Sequence, residues 1–204
     1  MFTGIIQGIA QIVDINASLH CRTYTLKLPK SMCHALRVGA SIANDGCCLT
    51  ITHINGDCIS FDLVGETLSL TTLASKNIGD RINVERAAKF GDEIGGHLMS
   101  GHISCKGVIV DTALLETNRR ITIEIPKKFA KYILYKGYIG VDGISLTVGE
   151  VENHCFTLHL IPETLKRTTI GQKKQGDEVN IEIDPQTQAI VDTVTQLHQT
   201  SGNN

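Results

Sequence analysis

The chain has 204 residues, 42% hydrophobic and 20% charged, with a formal net charge of −2. That is the balance of a globular chain with a packed core, and no basic cluster argues for nucleic acid or an anionic membrane as partner. No apolar run reaches the roughly 20 residues a bilayer span needs.

The N-terminus, Met1-Phe2-Thr3-Gly4, lacks the basic and apolar regions of a signal peptide. Seven cysteines, odd in number and without a Cys-x-x-Cys pair, read as free thiols in a reducing compartment. A cytoplasmic protein is expected.

In chain order, the first strand signal is Tyr24, Leu26 and Leu28 alternating with Thr25 and Lys27. A short helical piece is expected over 31–37. The stretch Asp45-Gly46-Cys47-Cys48-Leu49-Thr50-Ile51 then joins a turn to a strand. Gly accepts the positive φ that a tight turn needs. The alternation after it puts Cys48 and Thr50 on one face. Ile59, Phe61 and Leu63 make another alternating run, with a helical piece after Thr67. Residues 91–96, rich in Gly and charge, suit a linker.

The pattern then restarts. Ile121, Ile123 and Ile125 alternate with Thr122 and Glu124, and a helical piece is expected over 127–135. Asp142-Gly143-Ile144-Ser145-Leu146-Thr147-Val148 repeats the turn and strand, with Ser145 and Thr147 on one face and Leu146 and Val148 on the other. Phe156, Leu158 and Leu160 follow, a helical piece after Thr164, then Val179, Ile181 and Ile183.

Shifting the chain by 97 positions superposes these features with almost no gap. Asp45-Gly46 falls on Asp142-Gly143, Glu66-Thr67-Leu68 on Glu163-Thr164-Leu165, and Asn83-Val84-Glu85 on Asn180-Ile181-Glu182. So many identities in register mark an internal duplication. Short period-two strands cut by Gly, Asn and Asp predict a small antiparallel barrel in each copy. The expected domains are 1–97, 98–186 and a tail over 187–204. In that tail Ile190, Val194 and Leu197 form an apolar stripe of helical period. The stripe could pack on its own barrel or pair with its copies in other subunits.

Four motifs carry a resemblance over nearly the whole chain: Met1-Phe2-Thr3-Gly4-Ile5-Ile6, Asn44-Asp45-Gly46-Cys47-Cys48-Leu49-Thr50, Gly95-Gly96-His97-Leu98-Met99-Ser100-Gly101-His102, and Asp142-Gly143-Ile144-Ser145-Leu146-Thr147. They resemble the riboflavin synthase family. The resemblance implies an all-β fold of two tandem six-stranded Greek-key barrels with a C-terminal helix, and a homotrimer held by those helices. It implies the dismutation of two molecules of 6,7-dimethyl-8-ribityllumazine, giving riboflavin and 5-amino-6-ribitylamino-2,4-pyrimidinedione. Each barrel would hold one lumazine, and the reacting pair would form between subunits. No resident metal or cofactor is implied. The alternative within the same fold is a non-catalytic lumazine or flavin carrier such as an antenna protein.

The flat ring calls for apolar walls and backbone hydrogen bonds, offered by Gly4, Ile5, Ile6, Gly101, His102 and Ile103 beside Cys48, Leu49, Thr50, Ser145, Leu146 and Thr147. Ribityl hydroxyls need partners when buried, and Asp62, Leu63, Val64, Gly65, Glu66 and Thr67 match His159, Leu160, Ile161, Pro162, Glu163 and Thr164 as providers. Ser41 joins the binding set. Lys136 resembles the family's lysine that reaches a neighbour's ligand, though alone it reads as a surface lysine.

The copies differ where Ile5 meets His102, Cys48 meets Ser145 and Ala87 meets Asp184. His102, Ser145, Thr147 and Asp184 therefore predict an acid/base-rich site in the second unit, with Cys48 and Phe2 as the first unit's catalytic candidates. Cys48 reads equally as a small buried hydrophobe, and His102 alone as a strand-start histidine.

Overall fold

A computed structural model describes residues 1–18 and 21–201. Six strands make the first barrel: β1 (Gly8–Ala17), β2 (Cys21–Lys27), β3 (Ser41–Asn44), β4 (Cys47–Asn55), β5 (Cys58–Val64) and β6 (Arg81–Arg86). They close antiparallel in the order β1-β2-β5-β4-β3-β6. The second barrel repeats the topology with β7 (Cys105–Leu114), β8 (Arg119–Glu124), β9 (Tyr138–Val141), β10 (Ile144–Glu152), β11 (Cys155–Leu160) and β12 (Glu178–Ile183). Helix α1 (Gly65–Leu70) follows β5, α2 (Pro162–Arg167) follows β11, and α3 (Pro185–Ser201) ends the described chain.

The alternation has its predicted consequence. Tyr24, Leu26, Ile59, Phe61 and Leu63 fill the first barrel, and Ile121, Ile123, Phe156, Leu158 and Leu160 fill the second. Barrels of this size are packed through by their own side chains. A ligand must therefore sit against the outside of each barrel.

The helical pieces are shorter than the sequence suggests. The expected 31–37 segment reduces to one 3₁₀ turn at Lys30–Met32, and 127–135 to Lys127–Tyr132. Pro29 and Pro126 start these turns, but a residue of positive φ, Ala35 or Lys136, follows within a few positions of each. The tail helix begins at Pro185, where a proline costs no intrahelical bond. Asp184 caps it, its carboxylate accepting from the Thr187 amide at 3.0 Å and hydroxyl at 2.7 Å.

Helix α3 docks on its own barrel through Val191 and Asp192. Val191 packs on the second core, and the Asp192 carboxylate accepts from Lys131 Nζ at 2.7 Å and the Tyr132 hydroxyl at 2.6 Å. Ile190, Val194 and Leu197 remain 64%, 47% and 63% exposed.

The barrels meet about a local two-fold axis. Phe2 and Met99, which are 97 positions apart, pair as an antiparallel bridge, each amide donating to the other's carbonyl at 2.8 and 3.0 Å. The Asp-Gly turns also meet there: a Cβ built on Gly46 would lie 2.7 Å from the Gly143 nitrogen. Both residues of each turn have positive φ, as a two-residue hairpin with right-handed strands requires. Asn83 Nδ2 donates to the Asp142 carbonyl at 3.0 Å, and Asn180 Nδ2 donates to the Asp45 carbonyl at 2.9 Å. The Asp45 and Asp142 carboxylates are fully buried, paired with Lys76 and Lys173 at 3.1 Å each. Burial pushes Asp142 above the usual aspartate range, while Lys173 pulls it down. Burial lowers Lys76, but Asp45 and Asp142 outweigh it and hold the ammonium above its ordinary value.

Candidate functional site

The site is built from two crossing segments. The N-terminal stretch is pinned by Glu85, whose carboxylate accepts from the Thr3 amide at 2.6 Å, the Thr3 hydroxyl at 2.8 Å and the Gly4 amide at 3.0 Å. Glu182 does the same for Ser100 and Gly101, at 2.6, 2.8 and 3.1 Å. Burial raises both carboxyls despite these donors.

From these anchors each segment lies against the other unit's barrel. The Gly4 carbonyl accepts from the Ser145 amide at 2.9 Å, and the Gly101 carbonyl from the Cys48 amide at 2.8 Å. Ile6 is buried in the second core and Ile103 in the first. Only Gly fits these crossings. Gly4 and Gly101 have φ of +75° and +81°, and a Cβ on Gly101 would lie 2.5 Å from the Cys48 Cβ.

The result is a cleft of about 260 Å³ on the outside of the first barrel. Cys47 and Cys48 from β4 form one wall; Glu66, Thr67, Leu70 and Thr71 from α1 and its end form another. Gly101, His102 and Ile103 close it from the second unit. Its walls are apolar at Leu70 and Ile103 and polar at Glu66, Thr67 and His102, the mixture that a ring with a hydroxylated chain calls for. Burial lifts the Cys47 thiol to about 12, so Cys47 is inert at neutral pH.

This geometry corrects the grouping expected from the repeat. His102 belongs with Cys48 on the first barrel, and Ser145 lies under Gly4 on the second. Polar groups of one sequence copy are thus divided between two sites, because each copy lends its leading segment to the other. Asp184 is engaged as the α3 cap. Phe2, 1% exposed, packs with Met99, Ala43 and Cys48 beneath the site and does not line the cleft.

Other expected residues fall on several faces. Cys48 and Ser145 are half-buried and Thr50 and Thr147 exposed on the outer face of their strands, as the alternation requires. Leu49, Leu63 and Leu160 turn into the cores, so only their backbones are available outside. Leu146 packs against the second core from its edge. Ser41 is half-buried at the start of β3, opposite Thr50. Asp62 is exposed and accepts from the Thr23 hydroxyl at 2.7 Å; Val64, Gly65, His159 and Ile161 are exposed at the strand ends. Pro162, Glu163 and Thr164 begin α2, where Glu163 pairs with Arg167. Lys136 is exposed at φ +63°, with its Nζ 5.2 Å from the Tyr135 ring centroid.

Three residues that build the site are not among the candidates above: Glu85, Glu182 and His97. Glu85 and Glu182 were legible as identical acids at matched positions of β6 and β12. His97 was hidden because it lies at the joint between the two copies, where the repeat offers no comparison. Its Nδ1 lies 2.6 Å from the Ser145 Oγ, and its ring stacks on Tyr138 with centroids 5.0 Å apart.

The lumazine binding domain family matches residues 3–87 and 100–184. The chain belongs to this family and carries its domain twice. It is 57% identical over 198 residues to riboflavin synthase of Escherichia coli (strain K12), covering 97% of this chain and 93% of that one. It is 35% identical over 184 residues to a yellow fluorescent protein of Aliivibrio fischeri, covering 90% and 95%. Among solved structures, LumP complexed with riboflavin superposes with a TM-score of 0.84 at 26% identity, covering 90% of this chain and 100% of that one.

Among the described residues one group has metal-type donors, Glu124, His154 and Cys155, with ligand atoms within 4.8 Å of one another. It shares no residue with the Cys48–His102 cleft. No helix of the described residues is long and apolar enough to cross a membrane.

Proposed function

We propose that this member of the lumazine-binding family is a riboflavin synthase. It would take two molecules of 6,7-dimethyl-8-ribityllumazine, move a four-carbon unit from one to the other, and release riboflavin and 5-amino-6-ribitylamino-2,4-pyrimidinedione. The reading rests on one observation above the rest: both barrels keep polar groups at matched positions beside the crossing segment. The first has Cys48, Glu66, Thr67 and His102 around one cleft, and the second holds Ser145 with Glu163 and Thr164 at matched positions. A dismutation needs two such sites, whereas a carrier needs one. The exchange occurs between two copies of one molecule, so it balances its own electrons.

The roles follow from position. The cleft walls take the ring, and Glu66 and Thr67, with Glu163 and Thr164 opposite, take ribityl hydroxyls. His102 and Cys48 serve one lumazine and Ser145 and Thr147 the other. Ser145 and Cys48 have ends of similar size but different acidity, which suits sites that must treat identical molecules differently. The exposed stripe on α3 supports a homotrimer in which sites of neighbouring subunits face each other, with Lys136 reaching across. Seven free cysteines fit a reducing cytoplasm.

The test is direct. Pure protein incubated with the ribityllumazine alone should develop riboflavin absorbance, with about two substrate molecules lost per flavin, as the chemistry requires. Tight binding without turnover would favour the carrier reading, to which the likeness to LumP complexed with riboflavin lends its support.

A further inference from the structure

The two sites differ by more than the Cys48–Ser145 exchange. Upstream of the second crossing segment the linker brings Gly95, Gly96 and His97 onto the second barrel. It passes so close that a Cβ on Gly96 would meet the Thr3 carbonyl and lie 2.6 Å from the Ser145 Cβ. His97 is 6% exposed, clamped flat on Tyr138 with 14° between the rings. Tyr138 stands on β9 where the first barrel has Ser41. His97 Nδ1 contacts Ser145 Oγ at 2.6 Å, while its Nε2 is buried without a partner. Among the described residues no histidine is hydrogen-bonded to the Cys48 thiol; the Cys48 amide donates to the Gly101 carbonyl. The dyad belongs to one site.

We infer that His97 is a positioning residue for the second site, holding Ser145 with its hydroxyl hydrogen turned to Nδ1 and its oxygen lone pairs turned outward to the ligand. The inference rests on the lumazine reading of that site. It gives the serine a fixed acceptor character that Cys48 does not have, and so a physical basis for two identical molecules being treated unequally. The stack on Tyr138 and the tight passage of Gly96 fix the imidazole, so the hydroxyl direction costs little further ordering. The arrangement needs Nδ1 unprotonated. Burial lowers the pKa of His97, with Asp184 pulling the other way. Also facing the ring are the Tyr138 phenol on β9 and the Ser145 hydroxyl on β10. When acid protonates Nδ1, the bond must reverse: the ring donates to Oγ, and the serine hydrogen turns to the ligand.

The experiment compares wild type, His97→Ala and His97→Asn, because an Asn Oδ1 can accept in place of Nδ1 but does not titrate. His97→Ala should lower kcat on the order of tenfold to a hundredfold with KM for the ribityllumazine changed far less. His97→Asn should recover most of kcat and lose the acid limb of the wild-type pH profile. An unchanged kcat in His97→Ala, equal losses in both variants, or an acid limb surviving in His97→Asn would each overturn the inference. If a variant fails to fold, ¹⁵N-histidine NMR of the wild type decides instead. It should show His97 with Nδ1 as the acceptor nitrogen and a pKa below the ordinary histidine value, changed in Ser145→Ala. A protonated Nδ1 at neutral pH overturns the inference. A wild type that makes no riboflavin refutes the proposed function, whereas the NMR result on the His97–Ser145 pair stands or falls by itself.

Discussion

At the scale of single residues the site depends on what is absent. Gly101 lets a backbone carbonyl touch Cys48 and swings His102 over the first cleft; an alanine there would push on the Cys48 Cβ at 2.5 Å and the Phe2 ring at 2.8 Å. A left-handed φ costs a non-glycine residue roughly 1–2 kcal/mol, and overpacking adds roughly 1–3 kcal/mol. Gly101→Ala should therefore lower the urea midpoint and weaken ligand binding at the first cleft before the second. Equal loss at both sites, or none, would contradict the crossing-segment account. Much of this was legible. That Cys48 and Thr50 share one face of their strand followed from period two alone, and the paired Glu66-Thr67 and Glu163-Thr164 from the repeat. What escaped was the partner of each side chain. Alternation gives the face of a strand on which a residue stands, but not which barrel its segment crosses to. So His102 and Ser145, joined in sequence, part company in space.

At the scale of elements, the Asp-Gly turns do more than open β4 and β10. They are the seam on which two barrels become one rigid unit, and a sequence shows a turn without showing that it faces its own copy. The seam buries two carboxylates and brings two ammonium groups to them, with Lys173 only 14% exposed against a fully buried Asp142. Such a pair contributes little relative to an apolar replacement of both partners, but removing one partner strands a buried charge at a cost of about 3–5 kcal/mol. Lys173→Met should destabilise the protein by that order at neutral pH. Asp142 already titrates above its unfolded value, and without Lys173 it rises further. A carboxyl with a raised folded pKa holds its proton more tightly in the native state, so its stability is lost as pH rises through that pKa. The deficit of Lys173→Met should thus shrink as pH falls toward the ordinary aspartate range. Urea titrations of both proteins across pH test this, and a deficit that stays constant or grows in acid would contradict it.

For the whole molecule, the question is whether one chain suffices. The Cys48–His102 cleft lies at the outer surface of the first barrel, and Ser145 stands at the matching place on the second. On the proposed function, a lone chain would hold one lumazine on the outside of each barrel without bringing them together. Helix α3 turns Asp192 and Val191 to its own barrel, while the stripe Ile190, Val194 and Leu197 stays largely exposed. Three apolar side chains at that spacing form a short seam that parallel helices of further copies can cover. Assembly would hold two ligands in contact range, and pre-positioning can supply several kcal/mol of the barrier, up to about 7–11 in the best intramolecular cases. Ile190→Glu with Val194→Glu leaves Pro185, the Asp184 cap and the Asp192 contacts in place, so the helix should still form and dock. The doubly substituted chain should sediment as a monomer, bind ribityllumazine with affinity close to wild type, and turn it over far more slowly. The specific rate of wild type should fall on dilution where sedimentation shows the assembly dissociating, and that of the variant should be low throughout. A monomeric variant with full turnover, or a wild-type rate indifferent to dilution through dissociation, would place both reacting lumazines within one chain.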